Sequence, residues 1–283
     1  MTERLADVSA RIDGIEKLGA VVNAMKGIAA ARAHVARTQL DAIDGYADTI
    51  AAAIGDILAA DDRPPTVNNR PKGRKGLLVF CAEQGFAGAF SERVLASITD
   101  DPARTTLFLV GTRGLSIAKT QGRVPFWSIA MPSHTPGIPK MADMITRTIY
   151  QTVEEGRIDS LDVIYSAWHS GHSKTVRQAL FPVDLTELSS SDRPAPLIQL
   201  SKAALIDSLS ADYFHALVCK AALHAFAAEN EARLEAMSSA GSQIEHELEV
   251  YRTKLHRVRQ EEITAEIIEL STGIVSATHK IKI

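Results

Sequence analysis

Residues 5–57 read LADVSARIDGIEKLGAVVNAMKGIAAARAHVARTQLDAIDGYADTIAAAIGDI. Apolar residues and glycine recur along this stretch at alternating steps of three and four, the heptad spacing that brings one face of a helix against a partner helix. The two rows are Leu5, Ile12, Gly19, Lys26, Ala33, Leu40, Ala47, Ile54 and Val8, Ile15, Val22, Ala29, Ala36, Ile43, Ile50, Ile57. Only Lys26 interrupts them. The pattern predicts one coiled-coil helix, roughly 85 Å long at about 1.5 Å per residue.

The C-terminal part of the chain carries a matching stripe. Its members are Leu234, Met237, Gly241, Ile244, Leu248, Tyr251, Leu255 and Val258. Beyond Val258 the phase of the apolar residues slips, which indicates that the helix leaves its partner near Gln260. All 11 prolines lie between Pro64 and Pro196, so both ends of the chain are free to form long helices. We expect the two helices to pair antiparallel, with paired positions that add up to roughly 265.

The middle of the chain has a different pattern. Short apolar runs at 76–81, 105–111, 124–129 and 161–168 predict buried strands, with helices over 91–99, 113–121 and 138–155 between them. Alternating strands and helices favour a mostly parallel sheet, to which 175–183 can add an edge strand. The predicted fold is an α/β domain inserted between two long N- and C-terminal helices that form an antiparallel coiled coil.

The same patterns divide the chain into three predicted domains. Residues 1–63 form the N-terminal coiled-coil helix and residues 64–196 form a Rossmann-like α/β domain. After a linker at 189–196, residues 197–283 form the C-terminal coiled-coil helix, which ends in a protruding tip. Dense polar chemistry from Arg257 to Glu266 lies where the apolar stripe slips. Either it forms a solvated face, or it makes directional contacts with a partner.

Composition and charge narrow the class of protein. The chain has 283 residues, of which 46% are hydrophobic, 23% charged and only 5% aromatic, and its formal net charge is −3. This balance provides no basic surface for nucleic acid. No apolar run approaches the roughly 18 residues of a membrane span, and the charged N-terminus is unlike a signal peptide. Cys81 and Cys219 stand far apart in apolar contexts, so we expect buried, reduced thiols in a cytosolic protein.

The motifs do not predict an active site. Residues 83–90, EQGFAGAF, follow a predicted strand, but Gly88 is followed by alanine and not by the lysine of a phosphate loop. We expect a glycine turn that packs strand against helix. His169 and His172 lack further ligands at metal-site spacing. The sequence predicts no catalytic residue, no metal and no cofactor. Two other classes stay open: an α/β enzyme or small-molecule-binding domain with a coiled-coil dimerisation arm, and a structural coiled-coil adaptor.

Blocks at both ends of the chain resemble the gamma subunit of F-type rotary ATP synthases. The N-terminal block is similar to the family's RIxSVxNTxxITxAMKxVAAxK, the C-terminal blocks to ExxxRMxAMxxA and RQxxITxE, and residues 81–92 to TSDRGLCGGFN. The matching residues are Arg11, Ile12, Ile15, Ala24, Met25, Lys26, Ala29, Ala30, Ala31, Arg32, Glu229, Arg233, Leu234, Ala236, Met237, Ala240, Arg259, Gln260, Ile263, Thr264 and Glu266. The resemblance therefore spans nearly the whole chain.

The resemblance implies a rotor shaft without catalytic residues, at the cytoplasmic face of a bacterial plasma membrane. The paired helices would lie inside a hexamer of alternating alpha and beta subunits. The α/β domain would rest on the membrane c-ring beside an epsilon subunit. Ion flow through the ring would turn the shaft and so drive ATP synthesis. The residues implied to contact the head are Met25, Lys26, Arg233, Gln260, Thr264 and Glu266.

Overall fold

The computed structural model describes residues 5–59, 73–169, 172–183 and 198–280, without the side chains of His169 and 271–280. Two long helices lie near the two ends of the chain and flank the other described elements in sequence. They are α1, Leu5–Ala59, and α5, Lys202–Lys280. Contacts between Cα atoms group the chain into two compact units. The first comprises Met1–Gly27 with Ala236–Ile283, and the second comprises Ile28–Glu235. The predicted fold of two long helices around an α/β domain is confirmed.

The heptad rows of α1 face inward as predicted. Every position of the two rows is buried or half-buried except Lys26, which is exposed. In the part of α1 that belongs to the second unit, several of the fully buried positions are alanines, among them Ala29, Ala33 and Ala36. Alanine at these positions lets a neighbouring backbone approach closely while it keeps the helix propensity high. The apolar stripe of α5 behaves in the same way, with Met237 and Val258 as its most buried members in the first unit.

The first unit pairs the start of α1 with the later part of α5 in antiparallel register. A Cβ built on Gly19 would lie 3.3 Å from Cγ2 of Ile244, so the helices touch there. The carboxylate of Glu16 lies 2.7 Å from the guanidinium of Arg252, and the guanidinium of Arg11 lies 5.7 Å from the ring centroid of Tyr251. These pairs agree with the predicted register to within one turn of helix. By contrast, a Cβ on Gly241 would meet no atom within 4 Å. The small size of this glycine is therefore not needed for a close approach of the two helices.

The second unit contains a five-stranded sheet. Its strands are β1 Lys75–Phe80, β2 Thr105–Val110, β3 Trp127–Ile129, β4 Ser160–His169 and β5 His172–Phe181. Their order across the sheet is β3-β2-β1-β4-β5, and all neighbours are parallel except β4 and β5. This confirms the mostly parallel sheet and the edge strand near 175–183, which the structure places at 172–181 and antiparallel to β4. The predicted strand over 124–129 forms only at its end, Trp127–Ile129, just after Phe126, whose backbone N–H donates to the Leu107 carbonyl at 2.8 Å.

Helices cover both faces of this sheet. The connecting helices are α2 Phe90–Ala96, α3 Thr112–Thr120 and α4 Ile138–Glu154, the last preceded by a 3₁₀ turn at Thr135–Gly137. Alternate residues of β1 point to opposite faces, as the two-residue period of a strand requires. Leu77 and Val79 pack with α2 and α3, whereas Leu78 and Phe80 pack with α4 and with the apolar face of α5. The predicted linker at 189–196 lies outside the described residues.

Within the second unit α1 also pairs with α5. Ile50 and Ile54 pack with Ala216 in a small apolar cluster. Arg37 lies 2.9 Å from the carboxylate of Glu231 and marks the other end of this contact. Both contacts agree with the register that the helix lengths predict, to within about one turn. The α5 helix therefore has two neighbours here, α1 and the sheet, which explains why almost every residue from Leu217 to Arg233 is buried or half-buried.

Candidate functional site

The loop after β1 lies where doubly wound α/β proteins commonly bind ligands, at the carboxyl ends of the parallel strands. Glu83 spans this edge of the sheet. Its carboxylate accepts hydrogen bonds from the backbone N–H of Thr112, at 3.0 Å, and of Met131, at 2.8 Å, while the Thr112 hydroxyl donates at 2.8 Å. One side chain therefore ties together the segments that follow β1, β2 and β3. We call residues 83–88 the Phe86 loop.

Side chains of α5 fill the space behind the Phe86 loop. The buried guanidinium of Arg233 donates to the carbonyl oxygens of Gln84 and Gly85, both at 3.2 Å, and pairs with the buried carboxylate of Glu229. That carboxylate in turn accepts from the backbone N–H of Gln84 at 3.3 Å. Buried charges persist only when they are paired and hydrogen-bonded, and here both conditions hold. The ion pair therefore holds the Phe86 loop to α5.

The braced loop presents one aromatic side chain to solvent. Phe86 has φ of 63°, a left-handed conformation that is rare outside glycine, and its side chain is 66% exposed. Such a conformation persists only where surrounding contacts impose it, and it is found preferentially at functional positions. Sequence patterns did not single out Phe86. The available signal was an aromatic residue between Gly85 and Gly88 in a loop expected to be a plain turn.

The residues that the resemblance assigns to head contact lie at three places. In the first unit, Met25 is half-buried and Lys26 is exposed on α1, while Gln260, Thr264 and Glu266 are exposed near the end of α5. Thr264 lies one turn beyond Gln260 and donates its hydroxyl to the Gln260 carbonyl at 2.7 Å. Arg233 belongs to the second unit, where its guanidinium is committed to the Phe86 loop. Contact of all six residues with a head stays a prediction.

Beyond Val258, α5 exposes large apolar side chains next to these polar groups. Ile263 is 50% exposed, Ile267 60% and Leu270 68%, and their spacing of four and three residues puts them on one helix face. Every described side chain from Arg259 to Leu270 is exposed. The predicted phase slip therefore marks the point after which α5 buries no side chain among the residues described. We call residues 259–270 the α5 tip.

Both thiols are buried, as expected, and neither is suited to nucleophilic chemistry. Burial raises the pKa of Cys81 to about 12, with a further contribution from the carboxylates of Glu229 and Glu92. Burial and the nearby Asp143 raise the pKa of Cys219 to about 12 as well. Because the thiolate is the reactive form, both groups are inert near neutral pH.

Within the described ranges, no three histidines, cysteines or carboxylates are grouped as metal ligands. None of the helices described there has an apolar stretch that could span a bilayer.

Comparison with known proteins covers nearly the full chain. The family model described as ATP synthase matches residues 4–276. The ATP synthase gamma chain of Frankia casuarinae is 28% identical over 290 residues, which cover 96% of this chain and 97% of that one. The ATP synthase gamma chain of Staphylococcus carnosus is 24% identical over 290 residues, with 95% and 97% covered.

Solved structures share the fold. A chain in the cryo-EM structure of the Euglena gracilis mitochondrial ATP synthase, OSCP/F1/c-ring in rotational state 3, is 15% identical and superposes with a TM-score of 0.66, covering 98% of this chain and 95% of that one. The fold shared with that ATP synthase chain has two long helices that flank an α/β domain in sequence. With the match over residues 4–276 and the gamma-chain relatives, the chain belongs to the ATP synthase gamma family.

Proposed function

We propose that this chain is the turning shaft that couples ion flow through a membrane c-ring to ATP synthesis or hydrolysis in a head of alpha and beta subunits, and that it has no active site of its own. Its membership of the gamma family supports the rotor role. The absence of catalysis is supported by the ion pair of Arg233 and Glu229 behind the Phe86 loop and by two protonated thiols.

The α5 tip carries this proposal. Three large apolar side chains, Ile263, Ile267 and Leu270, are exposed on one helix face, whereas the apolar residues of the α1 heptad rows are buried or half-buried. A contiguous apolar surface of this kind is typical of a protein contact. Gln260, Thr264 and Glu266 lie beside it and provide directional hydrogen bonds. In the proposal, the apolar face bears on the inner wall of the head and the polar groups engage it at particular angles.

The other predicted contact residues divide into direct and indirect roles. Met25 and Lys26 would touch the head directly, since Lys26 is exposed and Met25 is half-buried beside it. For Arg233 we propose an indirect role, because its guanidinium already donates to Gln84 and Gly85. It would hold the Phe86 loop, and Phe86 itself would meet the head. An exposed aromatic on a rigid loop supplies contact area at a low cost in conformational entropy.

Rotation of such a shaft acts as allostery by rigid-body motion. The head has three equivalent catalytic sites, and an asymmetric shaft makes different contacts with each of them at any moment. Each step exchanges these contacts, so a site is driven from one binding state to the next. The charge and shape of the shaft surface must therefore be enough to shift the binding state of a catalytic site. The contacts must still be weak enough for the shaft to leave that position. Exposed side chains such as Gln260 and Thr264 meet this requirement, because exposed polar contacts form and break at small cost.

The remaining partners follow the same proposal. Residues 1–63 and 197–283 would form the shaft, and residues 64–196 would rest on the c-ring beside an epsilon subunit. The complex would lie at the cytoplasmic face of a bacterial plasma membrane, with this chain bound peripherally. No nucleic acid takes part.

A pair of substitutions on the α5 tip tests the coupling role. Ile263→Ser with Ile267→Ser removes the apolar face but leaves the polar groups in place. Val250→Ser, at an exposed position of α5 before the tip, is the matched control. We expect membranes with the double variant to assemble the complex but to lose most ATP synthesis, whereas the control stays near the wild type. Full synthesis by the double variant would contradict the proposal, as would micromolar ATP binding by the isolated chain in calorimetry.

A further inference from the structure

A groove opens on the surface of the second unit where α1, α4 and α5 meet, and its volume is about 280 Å³. The floor consists of side chains that are at most 7% exposed: Thr135 from the 3₁₀ turn, Ile138 from α4, and Cys219 and Leu223 from α5. Cys219 and Leu223 lie four residues apart and so present one face of α5 to the groove. An almost wholly apolar floor of this kind favours a ligand with an apolar body.

Small side chains keep the groove open to solvent. Its rim is formed by the exposed residues Gln39 and Ala42 of α1 and Pro139 of α4, with the half-buried Ile43 as a wall. Gln39, Ala42 and Ile43 are three and four residues apart, so they share one face of α1. Ala42 has only a methyl group to extend over the opening. A larger side chain at this position would therefore close the groove from the surface, without a change in the buried floor.

Polar contacts beside the groove connect α5 to both of its neighbours. The Nζ of Lys220 lies 3.2 Å from the carboxylate of Asp44 on α1. The Nε2 of His215 lies 3.1 Å from the carboxylate of Asp143 on α4 and 3.4 Å from the carbonyl oxygen of Pro139. Each of these residues is within one helical turn of a residue that lines the groove. The three helices are thus held in place before a ligand enters, which lowers the cost of binding.

One polar atom in the floor lacks a partner. Thr135 is 7% exposed, and its Oγ1 makes no hydrogen bond with any described residue. A threonine inside a helix can donate to the carbonyl one turn earlier. Thr135 begins the 3₁₀ turn, so no preceding helical turn provides that carbonyl. A buried hydroxyl without a partner is unfavourable and calls for a bound water or ligand as its explanation.

Size and charge define the class of ligand. An apolar cavity of about 150 Å³ binds benzene, so a groove of about 280 Å³ has room for a two-ring body. A hydroxyl group on that body can either donate to Thr135 or accept from it. A charged group would lose its hydration on the apolar floor, and the neighbouring Lys220 and Asp44 already pair with each other.

We propose that this groove binds a small neutral molecule with an apolar two-ring body and one hydroxyl group, a bicyclic alcohol or phenol. Its rings would cover Ile138 and Leu223, and its hydroxyl would pair with that of Thr135. Because three helices share the groove, a bound ligand would stabilise the second unit against unfolding. The proposal does not depend on the coupling role of the α5 tip.

A titration of the full-length chain with 1-naphthol tests the site. The methyl signals of Ile43, Ile138 and Leu223 are followed by NMR. One control, 1-methylnaphthalene, carries a methyl group in place of the hydroxyl, and a second, 1-naphthalenesulfonate, carries a charge. We expect 1-naphthol to shift these signals with a dissociation constant of about 100 µM. The methyl compound should bind about fivefold more weakly, and the sulfonate should leave the signals unchanged.

Two variants separate the hydroxyl contact from the groove itself. Thr135→Val keeps the shape of the side chain but removes its hydroxyl, so the preference for 1-naphthol over 1-methylnaphthalene should disappear. Ala42→Phe should fill the opening and abolish binding of both compounds. Ala31→Phe is its matched control, because Ala31 is an exposed alanine about three turns earlier on α1 and outside the groove. It should bind 1-naphthol as the wild type does.

Several outcomes would overturn the proposal. Unmoved methyl signals at saturating 1-naphthol would show that the groove holds only water. Unchanged selectivity in Thr135→Val, or equal loss of binding in Ala42→Phe and Ala31→Phe, would reject the site. Amide exchange of 39–43 and 135–141 is also compared between the isolated chain and the assembled complex. If assembly protects these residues and 1-naphthol adds no protection, the groove is a contact with another subunit and not a ligand site.

Discussion

The Nε of Arg233 donates to the carbonyl oxygen of Gly85 at 3.2 Å and so connects two residues that lie 148 positions apart in the chain. Because the guanidinium also pairs with the buried carboxylate of Glu229, this contact belongs to a buried, charged network. Arg233→Met would leave that carboxylate without its cation in a low-dielectric site. We expect a loss of about 3–5 kcal/mol in the free energy of unfolding, measured by urea denaturation of the full chain.

The control for this prediction removes both charges. Arg233→Met with Glu229→Gln keeps the volume of both side chains and leaves no unpaired ion. It should recover at least half of the lost stability, because a missing pair is far less costly than a lone buried charge. If the double variant is as unstable as the single one, the ion pair is not the reason for the loss. Exchange rates of amides in the Phe86 loop should rise in both variants.

Two glycines of α1, five residues apart, should respond differently to the same substitution. A Cβ on Gly14 would meet no atom within 4 Å, whereas a Cβ on Gly19 would lie 3.3 Å from Cγ2 of Ile244. Gly14→Ala should stabilise the chain by about 1 kcal/mol through helix propensity. Gly19→Ala should gain clearly less or lose stability, because Ile244 has to move. Equal gains in thermal unfolding would show that the helices do not touch at this position.

Asp100 gives a prediction on pH. Bidentate hydrogen bonds from Arg177, at 2.8 and 2.9 Å, lower the pKa of its carboxyl group against the opposing effect of burial. A pKa lower in the folded than in the unfolded chain contributes stability above the unfolded value of about 3.9 and loses it as the pH falls further. Asp100→Asn should therefore cost about 1 kcal/mol at pH 7, given solvent screening of a partly exposed pair.

The pH dependence distinguishes this pair from a general charge effect. The difference in unfolding free energy between the wild type and Asp100→Asn should shrink as the pH drops below about 4, because the unfolded wild-type chain then binds a proton at Asp100 more readily than the folded chain does. A difference that stays constant from pH 7 to pH 2 would contradict the assignment.

Most of the fold could be predicted because it depends on local periodicity. The heptads of α1 and α5 and the alternation of strands and helices are visible in single segments, and even the helix register follows from length alone. The strand at 124–129 was placed correctly but made too long, since the length of a strand depends on how far its neighbour β2 runs beside it. The positions of prolines and the spacing of apolar residues can be seen in the sequence. Which residues of two strands pair with each other depends on the folded structure.

The candidate surfaces were harder to predict, because they depend on contacts between distant segments. Arg233 matches a family motif, but no spacing rule reveals that Gln84 and Gly85 would occupy its guanidinium. The left-handed conformation of Phe86 follows from this bracing and not from its own propensity. In contrast, the exposure of the α5 tip could be inferred from the phase slip after Val258, because the signal lies within one helix.

Met25→Lys should impair coupling more than folding. Residue 25 is half-buried on α1 next to the exposed Lys26, so a second ammonium at this position can still reach solvent. In the proposed head it would pair with a carboxylate in only some rotary positions, and each turn would have to break that pair. We expect ATP hydrolysis to continue while ions pumped per ATP decrease. Met25→Leu, which keeps the volume and adds no charge, should pump normally; an unchanged ratio for the lysine variant would reject this placement.

Removal of residues 264–283 should leave a folded chain that assembles but couples poorly. The side chains of 264–270 bury nothing within the described residues, and an isolated helical segment of this length adds little stability of its own. Thermal unfolding of the isolated chain should thus shift by only a few degrees. In the complex, truncation removes the apolar Ile267 and Leu270 together with Thr264 and Glu266, so ATP synthesis should fall further than the amount of assembled complex. The full-length Ile263→Ser and Ile267→Ser variant separates the two contributions: if it loses as much synthesis as the truncation, the apolar face alone bears on the head. If membranes that carry only the truncated chain make ATP at the wild-type rate, the α5 tip is not a coupling element.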